Sequence, residues 1–398
     1  VDLTYPPETE PFRLEVRGWI EAHLPGRSPA AWNALLHETG WAVPRWPVEL
    51  GGRGLSIVEA VIWTEELTRA DAPIQPPAGG ELLLGPTLLH WGTPEQQRRF
   101  LPPIARGEEV WCQGFSEPGA GSDLAGLTTT ARLDGDEWVV DGHKVWTSQA
   151  QEADFIFTLV RTNPSAPKHR GISYLLLPMR QPGVEVRSIV QPDGTAGFSE
   201  VLLTGARAPK DHVVGAVDDG WNVAMSTLGF ERGTSAVSSW QRYARDWDAV
   251  VAAARHRGRI DDPVLRQRLA RAWTDIQLMR VAGYRVLTAV LHPEHADQAR
   301  ALEAGTKTVW TELQQRLTNL GMDVAGPAGL VLAGGEAAPG VGLGHREVVH
   351  PYPAGELQSA FLFSLAGTIF GGTAQVQRNI LAERVLGLPK EPPRNTGR

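Results

Sequence analysis

Two short segments carry the residue types that chemistry needs. The first is Trp111-Cys112-Gln113-Gly114-Phe115-Ser116-Glu117-Pro118-Gly119-Ala120-Gly121-Ser122-Asp123. Its glycines, Gly121 among them, let backbone N–H groups come close to an anion. Ser116 and Ser122 add hydroxyl donors, so a diphosphate fits such a loop. A plain Gly-Pro surface turn has the same composition, and a Gly-rich loop alone is weak evidence. The second segment is Gly142-His143-Lys144-Val145-Trp146-Thr147-Ser148. Here an indole stands beside two hydroxyls, an arrangement that suits a flat, heteroatom-rich ring. A core Trp with two polar edge residues would read the same way in isolation.

The elements that must hold these segments follow from periodicity. Residues 1–110 read as a helical domain. Ile57-Val58, Val61-Ile62 and Leu67 recur at helical spacing, with Glu59, Glu65 and Glu66 off that face. Thr93-Pro94-Glu95-Gln96 has the form of a capped helix start. Residues 111–217 read as a central antiparallel β unit. Thr128 to Leu133 and Trp138 to Asp141 flank a hairpin signal at Asp134-Gly135-Asp136, and short apolar runs follow at Phe155 to Arg161, Ile172 to Leu177, Val184 to Val190 and Val201 to Leu203. Residues 218–398 return to helical patterning. Asp262-Pro263 opens one long stretch, and another runs from about Gln298 to Leu320 and stops at Gly321. Gly334 to Gly355 reads as a long loop, and two helices close the chain around Gly371-Gly372. The expected fold is α+β and mostly α: an N-terminal helical domain, a central antiparallel β-barrel-like domain and a C-terminal helical bundle.

Bulk properties narrow the function classes. The net charge is −7 and no long basic stretch occurs, which argues against nucleic acid as the main partner. One cysteine, Cys112, excludes an intrachain disulfide and a Cys-built metal cage, and fits a reducing cytoplasm. The first residues lack the pattern of a signal peptide, and no apolar run approaches the roughly 20 residues of a membrane span. No metal site is expected.

Together and in this order, the two segments resemble the acyl-CoA dehydrogenase family. The resemblance covers nearly the whole chain. It includes Gly40-Trp41 with Trp46-Pro47 and Gly51-Gly52-Arg53-Gly54, Gly92-Thr93 through Phe100-Leu101-Pro102, and Gln375-Val376-Gln377-Arg378-Asn379-Ile380 through Leu386-Gly387-Leu388-Pro389. It implies three domains ending in a C-terminal four-helix bundle, with non-covalent FAD bound between subunits. It also implies an acyl-CoA substrate, with electron-transfer flavoprotein as the electron acceptor. By position, Phe115 and Ser116 lie along the flavin pyrimidine side. Gly121 and Ser122 serve the diphosphate. Trp146 packs on the ring system, Thr147 and Ser148 line its edge, and Thr373 and Gln375 are C-terminal flavin contacts.

The pattern departs from many relatives where they carry the catalytic Glu. Here that stretch is Phe370-Gly371-Gly372-Thr373, and Gly371 has no side chain to act as a base. A subset of relatives places the base on a C-terminal-domain helix directly before an Arg, as in Phe230-Glu231-Arg232. The resemblance therefore implies Glu231 as the base that takes the α-proton while the β-hydrogen leaves as hydride to flavin N5. Gly371 is left with a backbone N–H for the thioester carbonyl. The two small residues Gly371 and Gly372 suggest a widened pocket and a bulky acyl group. The usual adenine-binding motifs have no clean counterpart at 257–262 or 319–323, so both a homo-oligomer and a heteromer with a related subunit fit the sequence. Two other roles fit as well: a flavin oxidase of the same fold, and a non-catalytic subunit that shapes a partner's site.

Overall fold

The computed structural model describes residues 5–73, 79–230, 235–292, 294, 296–330 and 357–390. The chain divides into two compact units, one containing residues 6–234 and the other residues 235–343 and 356–398.

In the first unit, helices α1 (Glu10–His23), α2 (Pro29–Glu38), α3 (Ile57–Arg69), α4 (Gly85–Trp91) and α5 (Pro94–Ala105) precede the sheet. The Thr93 side chain accepts from Gln96 N–H at 3.2 Å, and Thr93 N–H donates back to Gln96 at 3.1 Å, so the expected capping box starts α5. Ser56 and Glu59 do the same for α3. Glu65 and Glu66 lie off the apolar face of α3, as the periodicity implies, yet both are buried. The reason is tertiary: Arg13 and Arg17 of α1 cover them, joined by Arg69.

The sheet has eight strands: β1 (Trp111–Gly114), β2 (Thr130–Asp134), β3 (Glu137–Ser148), β4 (Phe155–Arg161), β5 (Ile172–Pro178), β6 (Val184–Ile189), β7 (Phe198–Pro209) and β8 (Val213–Val214). Its order is β6-β7-β3-β2-β4-β5-β8, with β1 beside β4. Most pairings are antiparallel, but β1 runs parallel to β4, so the sheet is mixed rather than wholly antiparallel. The expected hairpin forms between β2 and β3, with Gly135 in the left-handed region that the turn requires. Strands β4 and β5 are buried on both faces, which explains their unbroken apolar runs. Phe157, Leu159, Tyr174 and Leu176 point into a core shared with α4 and α5, while Ile156, Val160, Leu175 and Leu177 point into a second core with Trp138, Val201 and Leu203. Helix α6 (Gly220–Phe230) packs on the first of these cores through Val223 and Ala224.

In the second unit, α7 (Ser235–His256), α8 (Pro263–Leu291), α9 (Ala296–Ala325) and α10 (Leu357–Gly367) share one core that includes Tyr243, Leu269, Ile276, Leu313 and Ala360. Asp262 caps α8 by accepting from Val264 and Leu265 N–H, as Asp262-Pro263 suggested. Gly321 does not end α9. A Cβ there would lie 2.6 Å from Leu357, so the glycine lets α9 and α10 approach instead of stopping the helix. Helix α11 (Ala374–Ile380) continues into a π-helical turn, Leu381–Val385. The loop expected at 334–355 lies outside the described residues.

The molecule is therefore α+β and mostly helical, with a central mixed sheet and N- and C-terminal helical regions. No helix among the described residues is long and apolar enough to cross a membrane.

Candidate active site

The two motif segments meet in the first unit. Val145 N–H donates to the Ser116 carbonyl at 2.9 Å, which lays the strand carrying Trp146 against the middle of the first segment. The register between β3 and β7 slips between Lys144 and Thr147. Such a bulge re-aims side chains. Trp146 sits within it at φ 62°, a backbone conformation that a bulky residue adopts only where its surroundings impose it. The outcome is an indole that is 57% exposed, its edge against Phe198 at 5.9 Å. A large apolar ring held outward in this way presents a flat surface for another ring. Ser148 closes the strand half-buried, and Thr147 is buried with its hydroxyl unpaired among the described residues.

Phe115 contributes differently from Ser116. Its ring is in the core, edge-on to Phe157 and Tyr174, so its side chain is committed to packing. Glu117 and Ala120 exchange backbone hydrogen bonds and form a tight turn that leaves Gly121 and Ser122 exposed. A Cβ at Gly119 or Gly121 would meet nothing within 4 Å, so this stretch of backbone is open to a ligand.

Two residues inside the motifs carry more of the geometry than their sequence context announced. Lys144 and Glu117 are fully enclosed and bonded at 2.9 Å. Burial would raise the Glu117 pKa, but the Lys144 charge, with donors from Thr128 and Thr129, brings it down to about 2. Burial lowers Lys144 to about 8, partly offset by Glu117. The Glu117 shift has a consequence in acid. A carboxyl held below its ordinary value of 4.5 contributes its full stabilisation above that pH and loses it as pH falls through about 2. Between those values the wild-type protein is therefore expected to lose more stability than Glu117→Gln, as followed by urea midpoints at each pH. Equal losses would mean that Glu117 is not a linked group.

Glu81, not singled out from the sequence, lies in a π-helical turn, Gly80–Leu84, a feature often found at functional sites. Burial raises its pKa to about 7, and its nearest cationic candidate, His37 Nε2, is 3.9 Å away. Near the start of α6 a cavity of about 440 Å³ is lined by Arg170, His169, Trp221 and Asn222 and by two carboxylates, Asp218 and Asp219. The His169 and Trp221 rings meet edge to face at 4.9 Å.

Gly371, Thr373 and Gln375 belong to the second unit. Gly371 and Gly372 both have left-handed φ, 59° and 85°. Lys307 Nζ holds the turn by donating to the carbonyls of Gly367 at 2.9 Å and Gly372 at 2.8 Å, and Gln377 donates to the Gly371 carbonyl at 3.1 Å. A Cβ on Gly371 would point at Lys307 Cε, 3.2 Å away. The missing side chain thus lets the Lys307 stem lie close against the turn. Thr373 caps α11 by accepting from Val376 N–H, and Gln375 is exposed. Glu231 lies outside the described residues.

The N-terminal, middle and C-terminal domain families of acyl-CoA dehydrogenase match residues 7–108, 112–205 and 218–386. The chain belongs to the acyl-CoA dehydrogenase family. Members of this family are generally FAD-binding oxidoreductases. A relative in Mycobacterium tuberculosis (strain ATCC 25618 / H37Rv), acyl-CoA dehydrogenase IpdE1, is 45% identical, covering 96% of this chain and 99% of that protein. Among solved structures, the Tcur3481-Tcur3483 steroid ACAD is 32% identical with a TM-score of 0.82, covering 98% of this chain and 100% of that one. The ChsE4-ChsE5 complex from Mycobacterium tuberculosis is 31% identical with a TM-score of 0.79, over 98% of this chain and 100% of that one.

Proposed function

We propose that this acyl-CoA dehydrogenase binds FAD and desaturates a bulky, steroid-type acyl-CoA, working as one subunit of a heteromer with a related chain. The observation that carries the cofactor reading is the exposed, conformationally forced Trp146 beside the Ser116 backbone. The residues present fit FAD. Trp146 offers a plane for the ring system, with Ser116, Thr147 and Ser148 around it. Gly121 and Ser122 offer N–H and hydroxyl donors on an open stretch of backbone. The substrate class and the heteromer are supported by the relatives named as a steroid ACAD and as a two-chain complex.

When bound, FAD supplies the acceptor for the β-hydrogen and its electron pair. The chain's own part is the α-proton and the carbonyl. Glu231 removes the proton. The Gly371 N–H, which has no partner among the described residues, donates to the thioester oxygen as negative charge builds there. The electrons pass on to electron-transfer flavoprotein. The cavity at Arg170 and Trp221, which Asp218 and Asp219 also line, receives the CoA arm, with the Arg170 guanidinium for a phosphate and an indole for contact. Trp221→Ala is then expected to raise KM for the acyl-CoA about tenfold with kcat nearly unchanged, the signature of lost uniform binding. A fall in kcat at constant KM would remove the cavity from the substrate site.

The test of the whole reading is reconstitution with FAD, alone and with a co-expressed related chain, followed by a dye-linked screen of straight-chain, branched and polycyclic acyl-CoAs. A flavin spectrum and preference for polycyclic thioesters are expected. Tight nicotinamide binding without flavin, or activity confined to short straight chains, would end it.

A further inference from the structure

Lys144 and Glu117 form a closed polar knot between the two motif segments. The Lys144 ammonium has three hydrogens and three acceptors: Glu117 at 2.9 Å, the Leu159 carbonyl at 2.7 Å and the Phe115 carbonyl at 3.3 Å. Glu117 in turn accepts from Thr129 N–H at 2.9 Å, and from Thr128 N–H and hydroxyl at 2.7 Å each. Lys144 is 0% exposed and Glu117 5%.

The location of the knot matters as much as its completeness. Glu117 opens the turn that exposes Gly121 and Ser122, and Lys144 is the last residue in register before the bulge that turns Trp146 outward. Phe115 precedes Ser116. The knot therefore ties the backbone on both sides of Ser116 and two residues before Trp146. An apolar pair could fill the same volume, but van der Waals contact is non-directional and would not fix where those carbonyls and the bulge sit.

We propose that the Glu117–Lys144 pair is the positioning device of the flavin site, holding the Ser116 and Trp146 segments in the relative placement that FAD requires. The inference rests on the FAD reading above. Binding sites lose affinity when their supporting groups let them loosen by fractions of an ångström.

The experiment compares wild-type protein with the double variant Glu117→Gln, Lys144→Met, which leaves no unpaired charge, and uses FAD itself as the probe. In the double variant the FAD Kd is expected to rise at least about tenfold. Hydrogen exchange of apoprotein peptides spanning Ser116 and Val145 is expected to accelerate, while peptides from β5 keep their wild-type rates. Unchanged FAD affinity, or exchange that speeds up uniformly through the unit, overturns the proposal; the latter would mean a merely structural role. If the double variant does not fold, Lys144→Arg keeps the charge and redirects its N–H groups, and the same two readouts apply. If wild-type protein takes up no FAD, the cofactor reading fails by itself, and local exchange in the apoprotein still decides whether the pair fixes the two segments.

Discussion

Glu231→Gln should retain FAD and acyl-CoA and slow flavin reduction by at least about 10²-fold, the lower end of general-base contributions. The amide keeps the size and polarity of the side chain but loses its basicity. Gly371 has no side chain to act as a base. Many relatives hold the base at that position, whereas here the residue has a left-handed φ and its absent side chain would face Lys307 Cε at 3.2 Å. A Glu introduced there would carry both backbone strain and a cation for a neighbour, which would hold it ionised and poorly basic. Gly371→Glu is therefore a poor rescue of Glu231→Gln. The measurement is anaerobic single-turnover bleaching with the acyl-CoA that wild-type protein reduces fastest in the screen. Bleaching at the wild-type rate would make Glu231 a bystander. Glu81, whose buried carboxyl has a pKa raised to about 7, would then be the next carboxyl to replace.

Lys144→Met alone is expected to destabilise the first unit by about 3–5 kcal/mol, the cost of leaving a buried charge without its counter-ion. The side chain fills similar space, so the loss is electrostatic rather than a cavity. Glu117 would keep its three donors from Thr128 and Thr129, but the cation that holds its pKa low would be gone. The double variant with Glu117→Gln should recover part of this loss, because the two positions are coupled and their effects do not add. Urea unfolding of the apoprotein, followed through signals of the first unit, measures both. A single variant within about 1 kcal/mol of wild type would contradict the picture, since a fully enclosed ammonium with three acceptors does not leave silently.

Much of the fold was legible because its signals are local. A capping box at Thr93, a Gly at the β2–β3 turn and an Asp-Pro start for α8 each satisfy nearby backbone groups, so neighbouring residues announce them. The short apolar runs of β4 and β5 announced strands, and the structure showed them enclosed on both faces. Gly321 misled for the same reason: a glycine late in a helical pattern reads as a stop, and only the approach of Leu357 shows it to be a contact.

Residue order and type alone determined the family, the two segments of the candidate flavin site, and the loss of a side-chain base at Gly371. These are properties of spacing and of which atoms are present. Tertiary structure decided what those residues do. It buried Glu65 and Glu66 under arginines from α1, sent the Phe115 ring into the core, and turned Trp146 outward on a bulge. It also brought Lys144 onto Glu117, 27 positions away in the chain. Burial, a register slip and a long-range ion pair all depend on which surfaces meet, and no local spacing encodes that.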